Sequence, residues 1–219
     1  MYVQQICLFI VLGITLIGPA QTYGQSGWEW RDPNDIGAID LGDNKVIGYN
    51  LLGMGAALLF DKDGKRDSRV VYELSLGGLR EYRRAPLSDL WTIDYRMGRS
   101  LRPYLIWGAG ARAYVAGGDG LHTAGFGGYL WFRWHLMNKD KFRLSYDNSV
   151  GPNYFFKSFP QGGTRFNFTT HYGLSFAIRM HDRWWSITFS NFHISNAEIK
   201  GRDRNPALDA VGIVVSYQW

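Results

Sequence analysis

Trp185-Ser186-Ile187-Thr188-Phe189-Ser190-Asn191-Phe192-His193-Ile194-Ser195-Asn196-Ala197 alternates apolar with small polar residues and ends on a histidine and a serine two apart. Side chains alternate faces along a strand, so Trp185, Ile187 and Phe189 share one face with His193 and Ser195. Ser186, Thr188 and Ser190 share the other. After a loop and Asn205-Pro206-Ala207-Leu208, the same test puts Asp209 on the face of Val211, Ile213, Val215, Tyr217 and Trp219, with Gly212, Ser216 and Gln218 opposite. A serine, a histidine and an aspartate thus project from the apolar side of one hairpin. That is a nucleophile, a base to take its proton and a carboxylate to fix the base's tautomer, the inventory of acyl transfer.

Working upstream, the alternation repeats six times. Val70, Tyr72, Leu74 and Leu76 oppose Glu73 and Ser75; Trp91, Ile93, Tyr95 and Met97 oppose Thr92, Asp94 and Arg96. Leu105, Trp107, Ala109 and Val115 oppose Tyr104, Arg112 and Tyr114; Phe126, Leu130, Phe132, Trp134 and Leu136 oppose Tyr129, Arg133 and His135. Phe142, Leu144 and Tyr146 oppose Arg143, Ser145 and Asp147. Phe166, Phe168, Tyr172, Leu174, Phe176 and Ile178 oppose Arg165, Asn167, Thr169, His171, Ser175 and Arg179. With the hairpin this makes eight strands. A soluble barrel would turn the apolar set inward and leave the acids and arginines outside, but here almost every apolar face is a band suited to lipid. The chain therefore reads inside out: an all-β, eight-stranded antiparallel transmembrane barrel over residues 69–219. Glu73, Asp94, Arg96, Arg112, Arg133, Asp147 and Arg179 are expected to neutralise one another in a narrow lumen, with no pore.

The ends assign the compartment. Residues 6–17 form an uncharged apolar run too short to span a bilayer well, followed by small-residue cleavage patterns at Gly18-Pro19-Ala20 and Thr22-Tyr23-Gly24. Residues 1–24 are thus expected to be a signal peptide, and the barrel is expected in the bacterial outer membrane. Residues 25–68 read as an irregular lead-in; the apolar run 46–60 lacks a clear face and fits an extra strand, a short buried helix or a packed loop, and the charged turn 61–67 only loosely resembles a calcium loop. The one cysteine, Cys7, lies in the leader, so neither a disulfide nor a cysteine metal site is expected, and no metal or cofactor is implied. The net charge of +5 on an exported chain suits an anionic membrane surface rather than nucleic acid. The final strand ending in Tyr217 and Trp219 is expected to run toward the periplasm, which places His193, Ser195 and Asp209 at the outer-leaflet interface.

His-x-Ser is by itself a weak pattern, and polar residues at a strand end are what any such barrel tolerates there. Asp209 on the same face, the nearby Asn196 and Asn205, and the loop cations Lys200, Arg202 and Arg204 add weight. Those cations are a solvated loop by default, and beside a phosphate-rich leaflet a headgroup site. His122, His135, His171 and His181 read as lumenal or turn residues.

The run His193-Ile194-Ser195-Asn196-Ala197, followed by Asn205-Pro206-Ala207-Leu208-Asp209 and a short last strand, resembles the lipid A 3-O-deacylase family, the PagL-type outer-membrane esterases. Arg102-Pro103-Tyr104 and Gly163-Thr164-Arg165-Phe166-Asn167-Phe168 resemble the same pattern, so the likeness covers residues 101–219. It implies an eight-stranded barrel that removes the acyl chain ester-linked at the 3 position of lipid A. It further implies Ser195 as nucleophile, His193 as base, Asp209 as acid and Asn205 as an oxyanion contributor, with Asn196 in support. Three positions depart from the family pattern: Glu198 and Ala207 stand where glycines are common, and the acid is Asp rather than Glu. A non-catalytic structural or adhesive barrel and a lipid A acyltransferase are the competing readings. The sequence leaves the oligomeric state open, a homodimer included.

Overall fold

The structure, a computed structural model, describes residues 52, 69–82, 87–118, 121–196 and 206–219. The expected leader and, apart from Leu52, the lead-in up to residue 68 fall outside the described residues. Eight strands follow: β1 Val70–Glu81, β2 Asp89–Arg102, β3 Leu105–Gly118, β4 Leu121–Asn138, β5 Phe142–Phe155, β6 Phe166–Met180, β7 Arg183–Ser195 and β8 Leu208–Gln218. Each pairs antiparallel with its chain neighbours, and β1 closes on β8. Closure pairs the backbone N–H and C=O groups within the sheet, the condition for crossing hydrocarbon with strands. The shortest strand has 11 residues and the longest 18, against the roughly 9–11 that a tilted strand needs to span a bilayer.

Alternation is realised as the sequence predicts on most of the wall. Leu74, Leu76, Trp91, Ile93, Tyr95, Met97, Phe126, Leu130, Phe176, Ile187, Phe189, Ile213 and Val215 face outward and are exposed, while Glu73, Ser75, Thr92, Asp94 and Arg96 are buried inside. Rings sit along the barrel edge away from Ser195: Trp185 lies 4.8 Å from Tyr217, which stacks on Trp219 at 5.6 Å.

The lumen has two levels. In the one nearer the short turns, Arg133 donates to Glu73 through Nη1 at 2.6 Å and to Asp147 through Nε at 2.7 Å and Nη2 at 2.6 Å. Arg96 contacts Glu73 at 3.1 Å, and Arg112 and Tyr129 both donate to Asp94. Three arginines thus meet three acids, and the network sums to zero charge. Buried ions tolerate this setting only when paired and hydrogen-bonded, as these are. Toward the Ser195 end the interior turns apolar, with Leu79, Leu90, Tyr114, Phe155, Phe159, Phe192, Ile194 and Leu208 packed into one cluster. Arg112 lies where the levels meet, its guanidinium 4.5 Å from the Phe192 ring. Packed aromatics and paired charges fill the interior, as expected for eight strands.

Two expectations need correction. Arg179 leaves the lumen and pairs with Asp182 in the β6–β7 turn at 2.7 Å, because it lies one residue from the end of its strand. Leu105, Phe132 and Trp134 take the outward parity but are buried. Trp134 stacks against Tyr104 at 6.4 Å and pairs across β4–β5 with buried Tyr146. Strand parity specifies which face a side chain takes, not whether something else lies over it.

Link lengths orient the barrel. At one end the strands are joined by two, three and two residues (103–104, 139–141 and 181–182). At the other end the links have seven, two, ten and twelve residues (82–88, 119–120, 156–165 and 196–207). Outer-membrane barrels keep short turns in the periplasm and long loops outside. Ser195 and Leu208, which flank the longest link, therefore lie at the extracellular end.

Candidate active site

The β7–β8 register makes His193 and Asp209 Cα partners. Both take the outward parity, so their side chains meet on the outside of the wall, with His193 Nδ1 at 2.8 Å from Asp209 Oδ1. The Asp209 side chain is 6% exposed and that of His193 is 23% exposed, so the acid is shielded while the imidazole keeps an open edge. Ser195, the last residue of β7, follows on the same face and pairs with Phe168 of β6. Residues two apart on a strand are separated by about 7 Å at their Cα atoms, so the hydroxyl and the ring come together only by leaning toward each other along the strand. Ser195 and Asn196 are both buried. Asn205, Lys200, Arg202 and Arg204 lie outside the described residues.

Below this group the outer wall carries an apolar groove of about 600 Å³, lined by Tyr146, Tyr172, Leu174, Phe189, Asn191, Val211 and Ile213. Asn191 and Val211 sit one outward step below His193 and Asp209 on their strands, so the groove begins where the polar group ends. Alternation places its side chains on the lipid face but does not reveal that they converge, since they come from four strands. Tyr82, just beyond β1, carries no motif that ties it to this group, yet its backbone N–H donates to the Asp209 carbonyl at 3.1 Å.

The other histidines stand apart from this group. His135 Nδ1 lies 2.8 Å from Ser145 Oγ, and His171 lies 3.4 Å from Ser149 Oγ and 3.1 Å from Ser190 Oγ. All are inward and buried, out of reach of a bilayer lipid. His181 is in the β6–β7 turn with φ 48°, and His122 is exposed beside the β3–β4 turn. A second cavity of about 180 Å³ opens at the opposite, periplasmic mouth, lined by Arg69, His135, Arg143 and Arg179 among others. It lies a full strand length from Ser195.

The fold is that of an outer-membrane β-barrel, with a histidine, an aspartate and a serine on the outward face of its last hairpin. Residues 82–218 match the family described as Lipid A 3-O-deacylase (PagL), and the chain belongs to that family. Among solved structures it is similar to the crystal structure of the outer membrane enzyme PagL, at 12% identity and a TM-score of 0.49, over 67% of this chain and 97% of that one. No curated protein matches the chain.

Proposed function

We propose that this protein, an outer-membrane lipid A 3-O-deacylase by family, acts as a serine esterase through Ser195, His193 and Asp209. The observation that carries the reading is the 2.8 Å contact between His193 Nδ1 and Asp209 Oδ1 on the outward face, one step from Ser195. With Nδ1–H donating to the carboxylate, Nε2 is the basic nitrogen, as a general base for a serine requires. Ser195 Oγ attacks the 3-O-acyl carbonyl while Nε2 takes its proton. The tetrahedral intermediate expels the sugar 3-oxygen, which receives that proton, and leaves an acyl-serine. Water then attacks the acyl carbon, again losing its proton to Nε2. Fatty acid leaves and Ser195 recovers its proton.

Asp209 orients the ring and stabilises its cationic form during both steps. Asn205, Asn196 or neighbouring backbone N–H groups meet the oxyanion. The apolar groove beneath the group offers the departing acyl chain a hydrocarbon wall. Lys200, Arg202 and Arg204 supply positive charge for the anionic headgroup.

Mass spectrometry of lipid A incubated with the purified protein in detergent tests the reading. Wild type is expected to remove one 3-linked chain, and Ser195→Ala none. Undiminished release by Ser195→Ala would exclude the serine mechanism. Transfer of the chain to a phospholipid would make the protein an acyltransferase, and an inert wild type would leave a structural barrel.

A further inference from the structure

The β1–β8 seam has the shortest register in the barrel, and its last pair is Glu81 with Ala210. Tyr82 follows and draws level with Asp209, donating its backbone N–H to the Asp209 carbonyl at 3.1 Å. The acid thus hangs between two unlike neighbours. On one side is the longer β7 ladder, and on the other is the final rung of the closing seam. Rungs at a strand end open most readily, and here opening would move the Asp209 backbone.

The side chain of Tyr82 spans this weak point. Asn191 Nδ2, on β7, donates to Tyr82 Oη at 3.3 Å. β8 runs between β1 and β7, so the contact bridges two interstrand spacings, about 10 Å in all. Tyr82 and Asn191 both take the outward parity, and Asn191 is the Cα partner of Val211. The phenol therefore crosses the outside of β8 between Asp209 and Val211. Asn191 also lines the apolar groove, where an amide without a partner would face hydrocarbon at considerable cost. The phenol gives that amide a partner.

We propose that Tyr82 is a positioning residue of this esterase centre: it straps β1 across β8 to β7, holding Asp209 against His193 and keeping the Asn191 amide paired at the top of the groove. The inference rests on the esterase reading above. Tyr82 does not touch the reacting atoms; it acts through the strand that carries the acid and the strand that carries the base. Loosening the strap leaves substrate contacts in place but lets the carboxylate drift from the imidazole, so turnover falls rather than affinity.

The test uses the full-length protein in detergent with lipid A, comparing Tyr82→Phe, Asn191→Leu, the double variant and the control Tyr72→Phe at the far end of the same strand face. Tyr82→Phe is expected to lower kcat about tenfold, the scale of one lost hydrogen bond, with KM within about twofold and heat-modifiable mobility unchanged. Asn191→Leu should cost a similar factor and the double variant no more than either single one, because all three remove the same bond. The low-field proton resonance of the His193–Asp209 bond should broaden in Tyr82→Phe and remain sharp in Tyr72→Phe. An unchanged kcat for Tyr82→Phe, additive losses in the double variant, or loss of the folded barrel with Tyr82→Phe would each overturn the positioning role. An inactive wild type would instead overturn the esterase reading, with the proton resonance then reporting on the strap alone.

Discussion

His193 and Asp209 lie side by side across the last hairpin, Cα partners in the β7–β8 ladder with Nδ1 and Oδ1 2.8 Å apart. The contact depends on register as much as on residue type. A slip of one residue would turn Asp209 into the lumen and bring Leu208 or Ala210 opposite the imidazole. The 12-residue link between the two strands leaves that register to be set by the ladder itself and by the seam with β1.

The shorter acid at position 209 is within reach of the ring, so the departure from the longer family acid does not separate the pair. Asp209→Asn is expected to retain a measurable remnant of deacylation, whereas His193→Ala should lower kcat by roughly four to six orders of magnitude with the barrel folded. Asp209→Glu should keep most activity. Single-turnover release of fatty acid from each variant checks the order; an Asn variant as inactive as His193→Ala would give the carboxylate more than an orienting role.

Arg133 joins Glu73 and Asp147, both of which are inside the barrel and almost wholly buried. Arg133→Met leaves two carboxylates facing each other with Arg96 alone between them, and should destabilise the barrel by about 3–5 kcal/mol. Adding Glu73→Gln should restore part of the loss. Urea unfolding in detergent, followed by tryptophan fluorescence, gives both midpoints.

Ile93 is exposed on the outward face of β2, with the whole of β1 between it and the hairpin, and it is level with Val215 rather than with His193 and Asp209. If it lies near the midplane, Ile93→Arg should cost about 2–4 kcal/mol of stability in lipid. Deacylation by the fraction that folds should be unchanged. Reversible unfolding in vesicles measures the first and activity per folded molecule the second.

Gly212 has no room for a methyl group: an added Cβ would stand 2.1 Å from the Gly78 carbonyl oxygen and 2.6 Å from Leu79 Cα, both backbone atoms of the closing seam. Gly212→Ala should therefore push β8 from β1 and cost about 1–3 kcal/mol, together with activity, since Asp209 is on the displaced strand. Gly128→Ala, whose added Cβ would meet only the Gly110 oxygen at 3.8 Å, should be neutral. Comparing unboiled and boiled mobility on gels separates the two.

Much of this molecule is a matter of parity, and parity is written in the chain. Alternation over Trp185–Phe189 and its upstream repeats determines the strand count, the inside-out barrel and the face shared by His193, Ser195 and Asp209. The identities at 193–197 and 205–209 carry the family likeness. Parity specifies a face but not a height along the barrel or a neighbour around it. Those follow from register, which is settled only when β1 closes on β8. That is why the pairing of His193 with Asp209, 16 residues apart, and the bridge from Tyr82 to Asn191, 109 residues apart, belong to the tertiary structure. The same holds for the division of the lumen into a charged level and an apolar one, and for the burial of Phe132 and Trp134 on an outward face. Each depends on which strands come together at one level, and a strand's own sequence does not encode the level at which its neighbour arrives.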